Sequence, residues 1–237
     1  MSASVSATSL DRRKLIKSVA TLLGVSSLPA MSAAQQPAHN QKSEGETGGL
    51  RKYMMGFLLG HEQFTVPQLV EVGAAAERAG FDLLATSDHF QPWQDNEGHS
   101  GQAWVTMAAL GSKTSKVWIG PTVTCPTFRY NPAVVAEAFA SLSLLFPGRI
   151  FLGIGSGEAL NEQAAIGVWP KWQERSERLI EAREIIRKLW EGNPINHKGN
   201  YYSVDAKLYD PPVHPIPVLM AANGPKAMRR AGHGWTD

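Results

Sequence analysis

An acid, an imidazole and an indole lie close together at Asp88, His89 and Trp93, within Ser87-Asp88-His89-Phe90-Gln91-Pro92-Trp93. Directly before them Phe81-Asp82-Leu83-Leu84-Ala85-Thr86 reads as a buried strand, so an acid/base pair and a flat aromatic wall sit at a strand end. In parallel α/β proteins the C-terminal strand ends are where sites are built. Alone, an Asp-His pair reads more simply as a strand cap. A second stretch changes the balance: Gly153-Ile154-Gly155-Ser156-Gly157-Glu158-Ala159-Leu160-Asn161-Glu162 also follows an apolar run and delivers a carboxylate and an amide. Two strand ends loaded with polar chemistry imply one shared pocket. An imidazole with an ordinary pKa near 6.5 suits removal of a proton at neutral pH. Glu158 would serve as a proton donor if burial raised its pKa, or as an electrostatic partner.

The elements that must position these residues alternate. Tyr53-Met54-Met55-Gly56-Phe57-Leu58-Leu59 is a continuous apolar run, as expected of a strand buried on both faces. Thr65-Val66-Pro67-Gln68 has the pattern of a capping box with Pro in the first turn, and the helix it opens runs to about Ala79, where Gly80 stops it. Strands are expected at 83–86, 117–120 and 150–152, with helices at 104–110 and 132–145. A long amphipathic helix spans roughly 173–190, with Leu179, Ile180, Ile185, Ile186 and Leu189 on its buried side. Residues 195–204 read as a hairpin insertion, 217–222 as a fifth strand, and Asn223-Gly224-Pro225 as the start of another helix. Met54, Met55, Trp172 and Trp190 are expected in the core, and Arg129 in a salt bridge to the barrel wall.

Such βα repetition predicts a parallel sheet. No G-x-G-x-x-G follows the first strand, which disfavours a dinucleotide-binding doubly wound sheet and favours a (β/α)8 TIM barrel. Only five barrel strands are found, so the chain is expected to be a truncated or split barrel whose first and fifth strands are open apolar edges.

The formal charge of +2 belongs to the first 34 residues, which carry Arg12, Arg13, Lys14 and Lys17 against Asp11. The remainder is close to neutral, and nothing in it predicts nucleic-acid binding. The single Cys125 excludes an internal disulfide and a Cys-based metal site, and the histidines lack metal-ligand spacing. Twin arginines, a short apolar stretch rich in Ser, Gly and Ala, and a small-residue region resemble a twin-arginine export signal over residues 1–34. Residues 35–50 read as a flexible linker, and 51–237 as the N-terminal part of the barrel domain.

At Glu62-Gln63-Phe64, Ser87-Asp88-His89-Phe90-Gln91-Pro92-Trp93, Pro126-Thr127-Phe128-Arg129-Tyr130-Asn131-Pro132 and Gly155-Ser156-Gly157-Glu158-Ala159-Leu160-Asn161-Glu162 the chain resembles the deazaflavin-dependent glucose-6-phosphate dehydrogenase family of the luciferase-like superfamily. Gly224-Pro225 adds a weaker match, and the leader resembles that of the exported hydroxymycolic acid dehydrogenase branch. The resemblance implies a (β/α)8 barrel that transfers hydride from an alcohol to the deazaflavin coenzyme F420. It implies that His89 is the base, that Trp93 packs beside the reacting centre and that Glu158 acts near N1 of the deazaflavin. Asp88 would neighbour the ring, and Thr122-Val123 matches the place of a non-proline cis peptide pressed against it. Ser156, Gly157, Asn161, Asn223 and Gly224 fall at cofactor-contacting positions. Cys125 stands where the sugar-phosphate enzyme has Thr, Asn223 replaces a glycine, and the sugar-phosphate-binding basic residues of the family fall beyond Asp237, so glucose 6-phosphate is not expected as substrate.

The resulting expectation is an exported oxidoreductase of the periplasm or cell envelope acting on a small-molecule or lipid-linked alcohol. Its partners would be the twin-arginine translocation machinery and a second copy or a complementing C-terminal half-barrel. The rival readings are an FMN-dependent luciferase-like monooxygenase and a non-catalytic remnant that binds cofactor without turnover.

Overall fold

The computed structural model describes Leu50 and residues 53–232, all within the compact unit Thr47–Asp237. The predicted export signal and residues 35–49 of the linker lie outside the described residues.

Three short parallel strands, β1 (Gly56–Leu59), β2 (Leu83–Thr86) and β3 (Trp118–Pro121), pair in chain order with Leu59 beside Thr86 and Thr86 beside Pro121. Helices α1 (Val66–Arg78) and α2 (Ala103–Lys113) form the connections between them, and α3 (Pro132–Leu145) leads on to β4 (Leu152–Ile154). Parallel bridges Ile119–Ile150 and Thr124–Ile154 join β3 to β4, and β4 pairs with β7 (Val218–Met220). Between β4 and β7 the chain inserts α4 (Ala159–Ile166), α5 (Trp172–Trp190) and an antiparallel hairpin of β5 (Ile195–Lys198) and β6 (Ser203–Ala206). Helix α6 (Pro225–Gly232) follows β7. The five parallel strands form one arc in sequential order, as in a (β/α)8 barrel.

Local chemistry fixes the element ends. Gln68 Oε1 accepts both the Thr65 backbone N–H at 3.0 Å and its hydroxyl at 2.8 Å, starting α1. Gly80 ends that connection with φ +93°, a conformation an L side chain rarely adopts. Asn131 caps α3 by accepting the Ala133 N–H, with Pro132 in the first turn. Helix α4 is an additional element, closed by Gly167 at φ +75°.

The core lies between the outer strand faces and the helices. Leu59, Leu84, Ile119, Leu152 and Ile154 are at most 1% exposed and pack with Phe139, Ile185 and Ile186. Gly73 is required where α1 meets α2, because a Cβ there would overlap the Leu110 side chain. At the lower rim the Arg149 guanidinium donates to the carbonyls of Val117 and Thr114 and to the Thr114 hydroxyl. The hairpin is tied to α5 by Glu181, which accepts the backbone N–H groups of Tyr201 and Tyr202 and contacts His197.

Several expected core positions are not buried. Leu58 is 62% exposed and Met55 63%, so β1 is buried on one face only. Both follow from its edge position: among the described residues nothing pairs with the outer edge of β1 or of β7, and Leu219 on β7 is likewise 38% exposed. Ile180 and Trp172 are also exposed, because that flank of α5 borders a pocket instead of the core. Trp190 is half-buried against the core, its indole N–H donating to the Ala136 carbonyl at 2.9 Å.

Candidate functional site

Five strand ends converge on one rim. After β1 come His61 and Glu62; after β2, Ser87, Asp88 and His89; after β3, residues 122–125. Residues 155–158 and the first turn of α4 follow β4, and residues 221–223 follow β7. Residues from the ends of β2, β3, β4 and β7 enclose a pocket of about 280 Å³, walled on one side by α5.

His89 stands at its centre, with a side chain 16% exposed. Its Nδ1 lies 2.8 Å from Glu62 Oε1, a contact at ion-pair distance whose N–H direction is off-line for a hydrogen bond. Its Nε2 lies 3.6 Å from Glu158 Oε2. The Trp93 ring meets the imidazole edge-on at 5.1 Å. Burial alone would lower the His89 pKa, but contact with Glu62, reinforced by the charges of Glu158 and Asp88, outweighs it and holds the imidazole above its ordinary 6.5. Burial pushes the Glu62 carboxyl up, and the close contact with His89, together with hydrogen bonds from its own backbone and the Ser87 hydroxyl, overcomes this and leaves it below 4.5. The pairing thus favours the protonated form of His89 and the ionised form of Glu62. Because a bare Nδ1 lone pair facing a carboxylate oxygen at 2.8 Å would be repulsive, neutral His89 carries its proton on Nδ1 and presents Nε2 as the basic atom.

Asp88 is bracketed. Its carboxylate accepts from the Thr124 hydroxyl at 2.5 Å, from Tyr130 at 3.1 Å and from Arg129 Nη2 at 3.1 Å. Arg129 also donates to the Asp88 carbonyl and lies 3.7 Å from Glu162, whose carboxylate accepts the Arg129 backbone N–H. Burial raises the Glu162 pKa against the pull of Arg129. Arg129 therefore staples the end of β2 to α4, the structural role expected of it.

Asn161 makes a second staple across the rim. Its Oδ1 accepts the Phe90 N–H at 2.8 Å, and its amide donates to Glu158 at 3.4 Å. It lines the pocket while fixing both the loop that carries Trp93 and the Glu158 side chain. Glu158 occupies the N-cap position of α4, and its side chain is 45% exposed.

The glycine cluster is demanded by neighbouring backbone. A Cβ on Gly153 would strike the Pro121 carbonyl, one on Gly155 would lie 2.5 Å from Val123, and one on Gly157 would lie 2.7 Å from Cys125 Sγ. Gly157 also has φ +75°. These positions let the 121–125 segment, with its cis Thr122-Val123 peptide, press flat against β4 and its exit. Cys125 is buried 3.0 Å from the Thr127 hydroxyl, and burial pushes its thiol up to about 12.

Of the residues singled out from sequence, Asp88, His89, Thr122, Val123, Cys125, Ser156, Gly157, Glu158, Asn161 and Asn223 line this one pocket. Trp93 joins through its contact with His89 and lines a neighbouring groove. Gly224 is not in the wall; it precedes α6 with φ +91°. Sequence reasoning did not single out Ser87, Glu62 or Glu162 for the site, nor Trp172, which belongs to the pocket and not to the core. Glu62 and Glu162 stand in the very motifs that carry the family resemblance, but their partners come from distant segments.

The arrangement offers a proton acceptor, a carboxylate behind it, and a flat, side-chain-poor wall beside it. A family model described as luciferase-like monooxygenase matches residues 35–234. The F420-dependent hydroxymycolic acid dehydrogenase of Mycobacterium tuberculosis is 52% identical over 185 residues, covering 76% of this chain and 51% of that protein. The F420-dependent glucose-6-phosphate dehydrogenase of Gordonia bronchialis is 52% identical over 181 residues, covering 75% and 54%. Among solved structures, an F420-dependent secondary alcohol dehydrogenase in complex with an F420-acetone adduct superposes with a TM-score of 0.75 at 39% identity, covering 77% of this chain and 56% of that one. The chain thus spans about half the length of the curated relatives it matches. With that family model spanning most of its length, the chain belongs to the luciferase-like family.

Proposed function

We propose that this chain forms the cofactor- and proton-handling part of an exported oxidoreductase that passes hydride from an alcohol to coenzyme F420. The observation that carries the reading is His89: backed by Glu62 at 2.8 Å and facing Glu158 at 3.6 Å, it offers Nε2 to the pocket. The F420-dependent relatives at 52% identity support the choice of cofactor. The fit of the pocket supports it too: about 280 Å³ is near the lower end of small-ligand sites, roughly 300–1,000 Å³, which suits a ring system with its tail outside. Thr122, Val123 and residues 155–157 would hold the ring, with Asn223 at the rim.

When bound, the deazaflavin supplies a hydride acceptor. His89 Nε2 takes the hydroxyl proton as the carbinol C–H bond breaks, so the alcohol becomes a carbonyl and loses one proton and one hydride. Glu62 balances the imidazolium charge. Trp93 packs the imidazole from the side and shields it from water, and Asn161 keeps the Trp93 loop and Glu158 in register. Arg129 and Asp88 do no proton transfer and hold the rim together.

In this reading the open edges of β1 and β7 are met by a complementing C-terminal half-barrel, and the protein leaves the cytoplasm by the twin-arginine route. The test titrates protein recovered from its native host with F420 and with FMN, then assays oxidation of secondary alcohols. Binding of F420, with turnover lost in His89→Ala while binding persists, is expected. Tight binding of FMN alone, or unchanged turnover in His89→Ala, overturns the reading.

A further inference from the structure

Behind the pocket lies a second histidine with no part in the chemistry described above. His61 is fully buried, at 0% exposure, immediately before Glu62. Its Nε2 lies 2.7 Å from the hydroxyl of Thr106 on α2, itself fully buried. The Thr106 hydroxyl donates to the Gln102 carbonyl at 3.2 Å. With its one proton given to that carbonyl, the hydroxyl is an acceptor towards His61, an arrangement in which the imidazole carries its hydrogen on Nε2. Nδ1 is then a bare lone pair, 3.5 Å from Ser87 Oγ. Ser87 accepts the His61 backbone N–H at 2.8 Å and donates its own proton to Glu62 Oε2 at 3.0 Å. An unbroken set of contacts therefore runs from Gln102 and Thr106 through His61 and Ser87 to Glu62 and His89.

We propose that His61 is a positioning residue: pegged to Thr106 and kept neutral, it holds the adjoining Glu62 carboxylate in place for His89 and leaves that charge uncontested. The inference rests on the reading of His89 as the proton acceptor. Anchoring the ring to α2 fixes the chain just after β1, which among the described residues has a strand neighbour on one side only. Neutrality matters because a protonated His61 would gain its second hydrogen on Nδ1, facing Ser87 and through it Glu62. Two imidazolium ions would then share one carboxylate. The charged groups around His61 are Glu62 and Asp88, with His89 beyond; around His89 they are Glu62, Asp88 and Glu158. Burial lowers the His61 pKa against a backbone hydrogen bond with Ser87 and the pull of both carboxylates, which agrees with a neutral ring.

The test reads imidazole nitrogen shifts by NMR in the whole chain, without cofactor or substrate. His61 is expected to show a protonated Nε2 and a bare Nδ1 throughout the range in which His89 titrates. Thr106→Val removes the anchoring oxygen with little change of shape, and His61→Phe fills the space without the tie. Each is expected to lower the His89 midpoint by up to about one unit, a tenfold change in its protonation equilibrium, while His61→Gln, whose amide still reaches Thr106, retains it. A ring that merely fills space would leave the His89 midpoint in place in His61→Phe. Protonation of His61 on Nδ1, titration of His61 together with His89, or an unmoved His89 midpoint in both Thr106→Val and His61→Phe overturns the proposal. None of these readouts depends on turnover, so they stand apart from the His89→Ala assay that decides the oxidoreductase reading.

Discussion

Exchanging Glu62 for Gln removes one charge and keeps a carbonyl oxygen of the same reach. At the 2.8 Å separation from His89 Nδ1, the gross attraction between carboxylate and imidazolium is about 6 kcal/mol at an effective dielectric constant of 20. Burial opposes ionisation of both groups and offsets most of it. A net value of about 1.5–3 kcal/mol, the scale of polar contacts with charged groups, corresponds to roughly 1–2 pKa units. Glu158 does not replace it, because it lies at 3.6 Å with a 45% exposed side chain and is screened by water. The His89 midpoint in Glu62→Gln is therefore expected to fall from above 6.5 to 6.5 or below. In the proposed function neutral His89 is the proton acceptor, so alcohol oxidation would fail as pH drops through its midpoint. The acid limb of kcat/KM should move about 1–2 units lower in the variant, in step with an NMR titration of the same imidazole. The stability effect has its own window. Glu62, depressed from 4.5, adds stability above pH 4.5 that is lost on acidification; His89, raised from 6.5, adds stability below pH 6.5 that is lost as pH rises through its folded value. The difference in unfolding free energy between parent and variant should accordingly be greatest between pH 4.5 and 6.5. An unmoved acid limb together with an unmoved imidazole titration refutes the pairing.

Gly157→Ala places a Cβ 2.7 Å from Cys125 Sγ and 2.8 Å from Glu162 Cγ at φ +75°, and should destabilise the chain by about 2–4 kcal/mol in urea melts; a change within experimental error refutes the packing argument. Asn161→Ala leaves the Phe90 N–H without its 2.8 Å acceptor, so amide exchange there should accelerate at least about tenfold; protection equal to the parent's would show that the staple holds nothing. Cys125, buried with its thiol pushed up to about 12, should resist alkylation by iodoacetamide at pH 8 in the native chain and react promptly in denaturant. Prompt native labelling would mean that the pocket floor opens.

What the sequence determined by itself are features governed by neighbours along the chain. The capping residues Thr65 and Gln68, the stop at Gly80 and the apolar runs of β1 to β4 draw on contacts within a few residues, so their periods and punctuation are legible. The same holds for His89 and Glu158: each follows an apolar strand, and in a parallel sheet every such end faces one rim. Only the tertiary structure decided what those side chains do to one another. Glu62 stands behind His89, Arg129 spans Asp88 and Glu162, and Asn161 holds the Phe90 loop because strands far apart in sequence lie side by side. The glycines at 153, 155 and 157 are demanded by residues 121–125, which only the fold brings against them. Exposure of Leu58, Met55, Trp172 and Ile180 was equally out of reach. An apolar side chain carries its tendency to be buried wherever it stands, but burial is a relation between two surfaces, and the sequence near one surface does not say which other will cover it.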